Sequence, residues 1–280
     1  MDQQQAAAAQ PPVDPSAPTP AAPGRDIVGT TVLVLGSGAI VAALVAALGA
    51  GWGAWDFRGA LSVILFAGIA SGVTILIAIV AMAIARRRGR SIRWPRLIVG
   101  TLLATAFFLY FARFLFLAVT LPAIHDVSTD LADPPSFAAL PLRADNDIAI
   151  PGADDSAMRG LTPRQRWASI HQASYGDVRA LRVAAPVPQT LTRIEALVRE
   201  RGWEIAAIDR ANGRIEATDT STFFRFKDDV VLRVRAAEGG SASIVDMRSV
   251  SRVGQHDFGI NANRVRTFLA DIPAGQPQAR

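Results

Sequence analysis

Three transmembrane helices followed by a mixed α+β domain, its antiparallel four- or five-stranded sheet covered by two helices, is the fold class this 280-residue sequence predicts. Two observations carry the prediction. Residues 27 to 121 are almost continuously apolar, whereas residues 122 to 280 have the mixed composition of a globular domain. From residue 188 the hydrophobic period passes from that of one amphipathic helix to the alternation of strands, and then back to a helix.

The first 24 residues are rich in Pro, Ala and Gln and show no apolar periodicity, so they are expected to be a disordered tail. They do not read as a signal peptide, since no basic stretch precedes the first apolar run and that run is too long for an h-region. Three runs follow, at about 27–52, 60–85 and 97–121. Each reaches about 38 Å as a helix, enough to cross a ~30 Å hydrocarbon core with some tilt. No polar face recurs at helical spacing within them, which disfavours buried core helices of a soluble protein.

The loop Arg86 to Arg96 (RRRGRSIRWPR) holds six arginines in eleven residues and no acid, while Ala54 to Gly59 is short and neutral. The positive-inside rule therefore predicts a cytoplasmic N-terminus and a domain outside a bacterial-type inner membrane, in the periplasm. Trp52, Trp55 and Phe57 are placed at one interface and Trp94 at the other. Gly49 and Gly53, Gly68 and Gly72, and the series Gly38, Ala42, Ala46 are small residues at spacings that let helices approach closely. The spans contain no Asp, Glu, His or Lys, which disfavours ion- or proton-coupled transport. Arg113 is the one charge at depth, expected to snorkel outward or to pair with Asp56.

In the domain, residues 122 to 187 are rich in turn formers, with one short helix predicted from Thr162 as N-cap through about Gln172 and a strand near Val178 to Val183. Pro188 to Arg201 reads as an amphipathic helix with Leu191, Ile194, Leu197 and Val198 on one face and Gly202 as its stop. Strands are predicted at Trp203 to Ile208, Arg214 to Thr220, Phe223 to Arg235 and Ser243 to Arg252, the first two joined through the hairpin signal Asn212-Gly213. Asp257 is expected to cap a last helix with Ile260, Val265, Phe268, Leu269 and Ile272 inward, the domain ending near residue 272 before a flexible 273–280. The face away from the helices would carry Arg225, Lys227, Arg233, Arg248 and Arg252 with Glu204, Glu216, Asp229 and Asp246, as ion pairs on a solvated surface.

The sequence pI of about 10.7 invites a nucleic-acid reading. The location of the charge removes it: nine of the 29 basic groups and four of the 24 acids precede residue 122, and the remaining twenty of each cancel. Without cysteine there is neither a disulfide framework nor a thiolate metal site. His125-Asp126 and His256-Asp257 lack the spacing of any metal motif, and His171 stands alone. Nucleophile elbow, P-loop and dinucleotide fingerprints are absent, so an enzyme is disfavoured and no cofactor or metal is expected.

Glu216 to Arg235 (EATDTSTFFRFKDDVVLRVR), Val245 to Leu269 (VDMRSVSRVGQHDFGINANRVRTFL) and the opening Pro122 to Phe137 (PAIHDVSTDLADPPSF) resemble the motifs of the bacterial and plastid family known as domain of unknown function 1499. The resemblance spans most of 122–272 and brings no established activity. It implies Asp228, Asp229, Arg248, Ser249, Ser251, Arg252, Gly254, Asp257, Gly259, Asn261 and Arg264 as motif positions. If these form one patch, a helix N-terminus beside arginines offers an anion site. The function expected on that basis is a membrane-anchored module binding an anionic envelope component, such as a lipid headgroup or a carboxylated glycan. The competing reading is a structural lock in which Asp228 and Asp229 neutralise Arg252 and Arg264. The alternatives are an assembly subunit packing against another membrane protein, and a metal-dependent hydrolase using His125, Asp126 and His256.

Overall fold

The computed structural model describes residues 26–89, 94–147 and 150–272. The expected tails at 1–24 and 273–280, and Arg90 and Arg93 of the arginine-rich loop, lie outside the described residues.

Three helices, α1 (Ile27–Gly51), α2 (Phe57–Arg87) and α3 (Trp94–Thr120), are long and apolar enough to cross a membrane. Asp26 and Asp56 cap the first two, their carboxylates accepting from Gly29 N (3.0 Å) and Arg58 N (2.8 Å). Packing in the bundle is inverted relative to a water-soluble one. Small residues such as Ala39, Ala43, Ala46 and Ala47 are buried, while Leu76, Phe66 and Phe116 face outward. That is the arrangement for helices solvated by lipid tails, where close backbone approach rather than the hydrophobic effect drives association.

The small-residue seams are mostly consumed within the bundle. A Cβ on Gly36 would strike the Gly100 carbonyl, and one on Gly100 the backbone of Leu33, so α1 and α3 cross in backbone contact. Gly68 and Gly72 lie under the rings of Phe111 and Phe108, and Gly49 lies against Trp55. Of the predicted seams, Gly38 and Ala42 remain open on the outer surface of α1 and Gly53 in the turn that follows it. Arg113 is exposed on α3 with its guanidinium over the Phe114 ring (5.8 Å), and Asp56 is spent on its cap rather than on Arg113.

The domain holds β1 (Asp126–Ser128), a 3-10 turn (Ser156–Met158), α4 (Pro163–Tyr175), β2 (Leu181–Val183), α5 (Val187–Glu200), β3 (Glu204–Asp209), β4 (Arg214–Thr220), β5 (Lys227–Ala236), β6 (Ser243–Ser251) and α6 (Ile260–Asp271). The sheet is antiparallel in the order β1-β6-β5-β4-β3, and β2 pairs with the other half of β6. This is the predicted α+β fold: β2 falls within the strand expected near Val178 to Val183, and β1 is an additional short strand at the same edge. Thr162 and Gln165 form a reciprocal capping box for α4, and the Asn212-Gly213 turn closes the β3–β4 hairpin.

One face of the sheet is apolar: Ile215, Ala217, Val230, Leu232, Val245 and Met247 pack under Leu191, Ile194 and Val198 of α5 and Val265, Phe268 and Leu269 of α6. Trp203 stacks on Phe268 at 5.0 Å, and Trp167 and Tyr175 of α4 close the end of the core. The opposite face departs from expectation. It is not solvated: Asp126, Glu216, Asp229 and Asp246 are all buried there, at 4% exposure or less, because the segment from Thr129 to Asn146 folds back across it as a roof.

Two further expectations are corrected. β5 begins at Lys227, not Phe223; residues 221–226 form a loop against the α1–α2 tip, with Phe226 edging Phe57 at 5.5 Å. Ile260 is 50% exposed rather than inward, and Asn261, Ala262 and Arg264 take the buried face of the first turn of α6.

Candidate functional site

Alternation along β5 and β6 divides the motif residues between the two faces of the sheet. Asp228 pairs with Ser251 and Val230 with Ser249, placing Asp228, Ser249 and Ser251 on the helix face. Asp229 pairs with Val250 and Val231 with Arg248, placing Asp229, Arg248 and, one step on, Arg252 under the roof. The single patch envisaged from the sequence is therefore two clusters, back to back.

On the helix face Arg264 is the hub. Its Nε donates to Asp219 (2.9 Å), Nη2 to Asp228 (2.6 Å), and Nη1 to Ser249 Oγ (3.0 Å) and Asn261 Oδ1 (2.5 Å). The Asn261 amide in turn donates to the His125 carbonyl (3.0 Å) and Ser251 Oγ (2.9 Å), tying α6 to the start of β1 and the end of β6. Asp257 accepts from the backbone N–H groups of Gly259 and Asn261, both at 2.9 Å. Gly259 takes the left-handed conformation (φ 77°) that turns the chain into α6. Burial pushes the Asp257 carboxyl up, against those two N–H donors that favour its charged form. The helix N-terminus is thus already occupied, by the protein's own Asp257 carboxyl group.

Under the roof, Arg248 forks onto Asp126 through Nε (2.9 Å) and Nη2 (2.6 Å), and its Nη1 reaches the Pro135 carbonyl at 3.4 Å. Asn146 bridges Asp126 and His125, donating to the first (2.9 Å) and facing Nε2 of the second (3.2 Å). Arg252 forks onto Asp229 (2.8 Å for both bonds) and touches Thr218 Oγ1 (3.2 Å). Asp229 therefore neutralises Arg252, while Arg264 is matched by Asp228 and Asp219. The roof itself hangs on Glu216, whose carboxylate accepts from the backbone N–H groups of Ala138, Ala139 and Leu140 at 2.8 to 2.9 Å.

Between the roof and the sheet lies a groove of about 280 Å³. Phe137, Pro141 and Leu142 form one wall, and Val250, Ser251 and Arg252 the other. Arg143 crosses its end, donating through Nη1 to the carbonyls of Gly254 and Ser251 and through Nε and Nη2 to Asp145. Arg248 and Arg264 have every guanidinium nitrogen engaged within the protein. Arg252 does not: among the described residues its Nη1 has no partner, and its side chain is 38% exposed. Of the eleven motif positions, Asp229, Ser251 and Arg252 line the groove.

The histidines serve the fold. His256 accepts from Phe258 N (2.8 Å) and faces the Leu121 carbonyl (3.2 Å). His171 lies between Trp167 and Tyr175 on one face of α4 and accepts from Ser128 N at 3.2 Å. Burial pushes His171 down to about 4, and burial with the nearby Arg143 charge lowers His125. Among the described residues no three His, Asp or Glu side chains are grouped to hold a metal. The Glu216 anchor, Asn146 and Arg143 escaped the sequence reading, because their partners lie tens of residues away in loops without periodicity.

Residues 126–272, more than half of the chain and the whole span from β1 to the end of α6, match the family described as "Protein of unknown function (DUF1499)". A comparison with the curated proteins finds no match.

Glu216→Ala is expected to strand three backbone N–H groups of the roof. Each unsatisfied group costs about 1–3 kcal/mol, so the thermal midpoint of the detergent-solubilised protein should fall by several degrees or more, with proteolysis appearing first at residues 137–143. Acid should act through His125 and His171. Their folded pKa values lie below the ordinary ~6.5, so the unfolded chain binds more protons as pH falls through that value. For His171 stability is then expected to fall between pH ~6.5 and about 4, by up to ~1.4 kcal/mol per pH unit, and His125 acts in the same direction. Melts across this window should show a shallower slope for His171→Gln than for the parent.

Proposed function

The chain belongs to the DUF1499 family, an integral membrane protein of unknown activity, and we propose that its domain is a membrane-tethered recognition module for an amphiphilic anion of the cell envelope. The observation that carries the reading is the open edge of Arg252. Among the motif arginines it alone presents an unengaged N–H edge, and it does so beside the apolar side chains of Phe137, Pro141, Leu142 and Val250. A cation next to an apolar wall suits a ligand with a phosphate or carboxylate attached to hydrocarbon, rather than a bare ion. The location fits too. The groove is at the end of the sheet formed by the start of β5 and the end of β6, the same end from which the 221–226 loop reaches the bundle. A ligand resident in the membrane would meet it there.

The positive-inside bias of Arg86 to Arg96 supports placing the domain in the periplasm of a bacterial cell, with the N-terminus in the cytoplasm of an inner-membrane protein. The ligand is then a component of the outer leaflet or of the periplasm.

The binding test titrates dihexanoyl-phosphatidylglycerol, with dihexanoyl-phosphatidylcholine as the neutral control and glucuronate as the carboxylate probe, onto the full chain in uncharged detergent. Saturable binding of an anionic probe is expected, weakened about tenfold or more, ~1.4 kcal/mol, in Arg252→Lys. That variant keeps a cation for Asp229 but withdraws the free guanidinium edge. No saturable binding of either anion, or equal binding by parent and variant, would sink the reading. The topology test uses the absence of native cysteine. Glu238→Cys should react with a membrane-impermeant maleimide in cells with a permeabilised outer membrane, and Arg88→Cys only after lysis. The reverse pattern would invert the orientation.

A further inference from the structure

We infer that the loops at 221–226 and 253–260 insert into the interfacial layer of the bilayer leaflet at the domain end of the bundle, so that the domain rides on the lipid as well as on its tether.

Four observations converge on these loops. The first is depth. The Phe223 carbonyl and the Phe224 backbone occupy the space above Gly51, the last residue of α1, and Phe226 edges Phe57, the first residue of α2. Phe258 meets Phe114 edge-on at 5.8 Å. Phe114 lies six residues before the end of α3, a rise of about 9 Å. The Phe258 ring therefore sits alongside the bundle, below the level at which α3 ends. Helices that cross the hydrocarbon core carry their ends into the headgroup region, and these contacts carry the two loops to the same level.

The second observation is apolar exposure. Among the described residues after Leu121, four large hydrophobic side chains are exposed: Leu142, Phe223, Val253 and Ile260. Leu142 lines the groove, and the other three belong to these two loops. Phe223 and Ile260 are each about half exposed (49% and 50%), and Trp52, which follows Gly51 at the tip of α1, is 77% exposed. Aromatic side chains clustered at the end of a span are at home in the interface.

The third is backbone strain. Arg225 (φ 53°) and Phe258 (φ 55°) are the two non-glycine residues in the left-handed region among the described residues, one in each loop. Such conformations persist where surroundings over-determine them, and here they direct an aromatic pair and a cation toward the bundle end. The fourth is charge. Arg225 is exposed, and no carboxylate pairs with it, with Arg58 or with Arg113 among the described residues; all three stand at this end of the bundle, as cations do near lipid phosphates.

The inference does not rest on the Arg252 groove, since insertion is a property of the loops whether or not a ligand binds. Its test uses the cysteine-free chain as a labelling background. Phe223→Cys, Thr222→Cys and Glu238→Cys are each spin-labelled in the full chain and reconstituted in vesicles of phosphatidylcholine and phosphatidylglycerol at 3:1. Glu238 sits in the turn beyond the far end of β5, about 30 Å along the strand direction from the loop. Power saturation with oxygen and with a water-soluble nickel chelate reads the depth. The label at 223 is expected to be several-fold more accessible to oxygen relative to nickel than the label at 238, with the label at 222 also shifted toward oxygen. Nickel accessibility at 223 and 222 equal to that at 238 would overturn the inference. Having both loop positions leaves a reading even if one variant fails to fold.

Discussion

The domain is organised around the fork between Arg248 and Asp126. Asp126 is the first residue of the first strand after α3, and Arg248 lies in β6, the strand that also receives β5 and β2. A buried carboxylate without a partner is costly, whereas a bidentate guanidinium with further hydrogen bonds offsets much of its desolvation. β1 has three residues and a correspondingly short ladder, so the ion pair, with Asn146 and His125 beside it, sets where the chain leaving the bundle joins the sheet. That junction in turn aligns the His125 carbonyl to receive Asn261 and Ser251, and so seats α6 on the helix face.

The same logic runs through the rest of the polar side of the sheet. Asp229 is matched by Arg252, Asp246 by Arg233 and Arg235, and Glu216 by Arg214 and three roof N–H groups. A face of alternating charges is thereby converted into the interior of a second layer that contains almost no regular structure. Side chains of the sheet take over part of the roof's backbone bonding in place of a ladder: Glu216 accepts from Ala138, Ala139 and Leu140, Arg233 donates to the Asp133 carbonyl and Arg248 to the Pro135 carbonyl. Against this background of mutual neutralisation, one open guanidinium edge beside a groove stands out chemically: elsewhere in the two clusters, arginine hydrogen-bonding capacity is spent internally.

The bundle and the domain meet through aromatic contacts rather than through a continuous helix. Phe57 with Phe226, Phe114 with Phe258, and His256 with the Leu121 carbonyl make a junction whose parts come from α1, α2 and α3 together. Residues 223–226 of the loop read from the sequence as the first part of β5, because Phe224 and Phe226 continue the parity of Val230 and Leu232. Their alternation is real, but the apolar surface they meet is the end of the bundle, not the core of the domain.

The amino-acid sequence by itself determined the spans, the strand and helix order from Thr162 onward, and the family. These follow from local quantities: run length, the period of hydrophobicity, the Asn212-Gly213 turn, the Thr162 cap and a contiguous motif. It also confined the charge excess to the membrane-proximal half, which removes the basic pI as a ground for expecting a nucleic-acid partner. Only the tertiary structure decided that the motif residues fall into two clusters, since a strand sends Asp228 and Asp229 to opposite faces and each finds its arginine more than twenty residues away. Only the structure decided which arginine keeps an open edge, because that depends on where Asp126, Asp229, Asp228 and Asp219 arrive in space. And the roof was illegible beforehand for a physical reason: it is held by side chain-to-backbone bonds across about eighty residues, as from Glu216 to Ala138, and such bonds leave no period in the sequence.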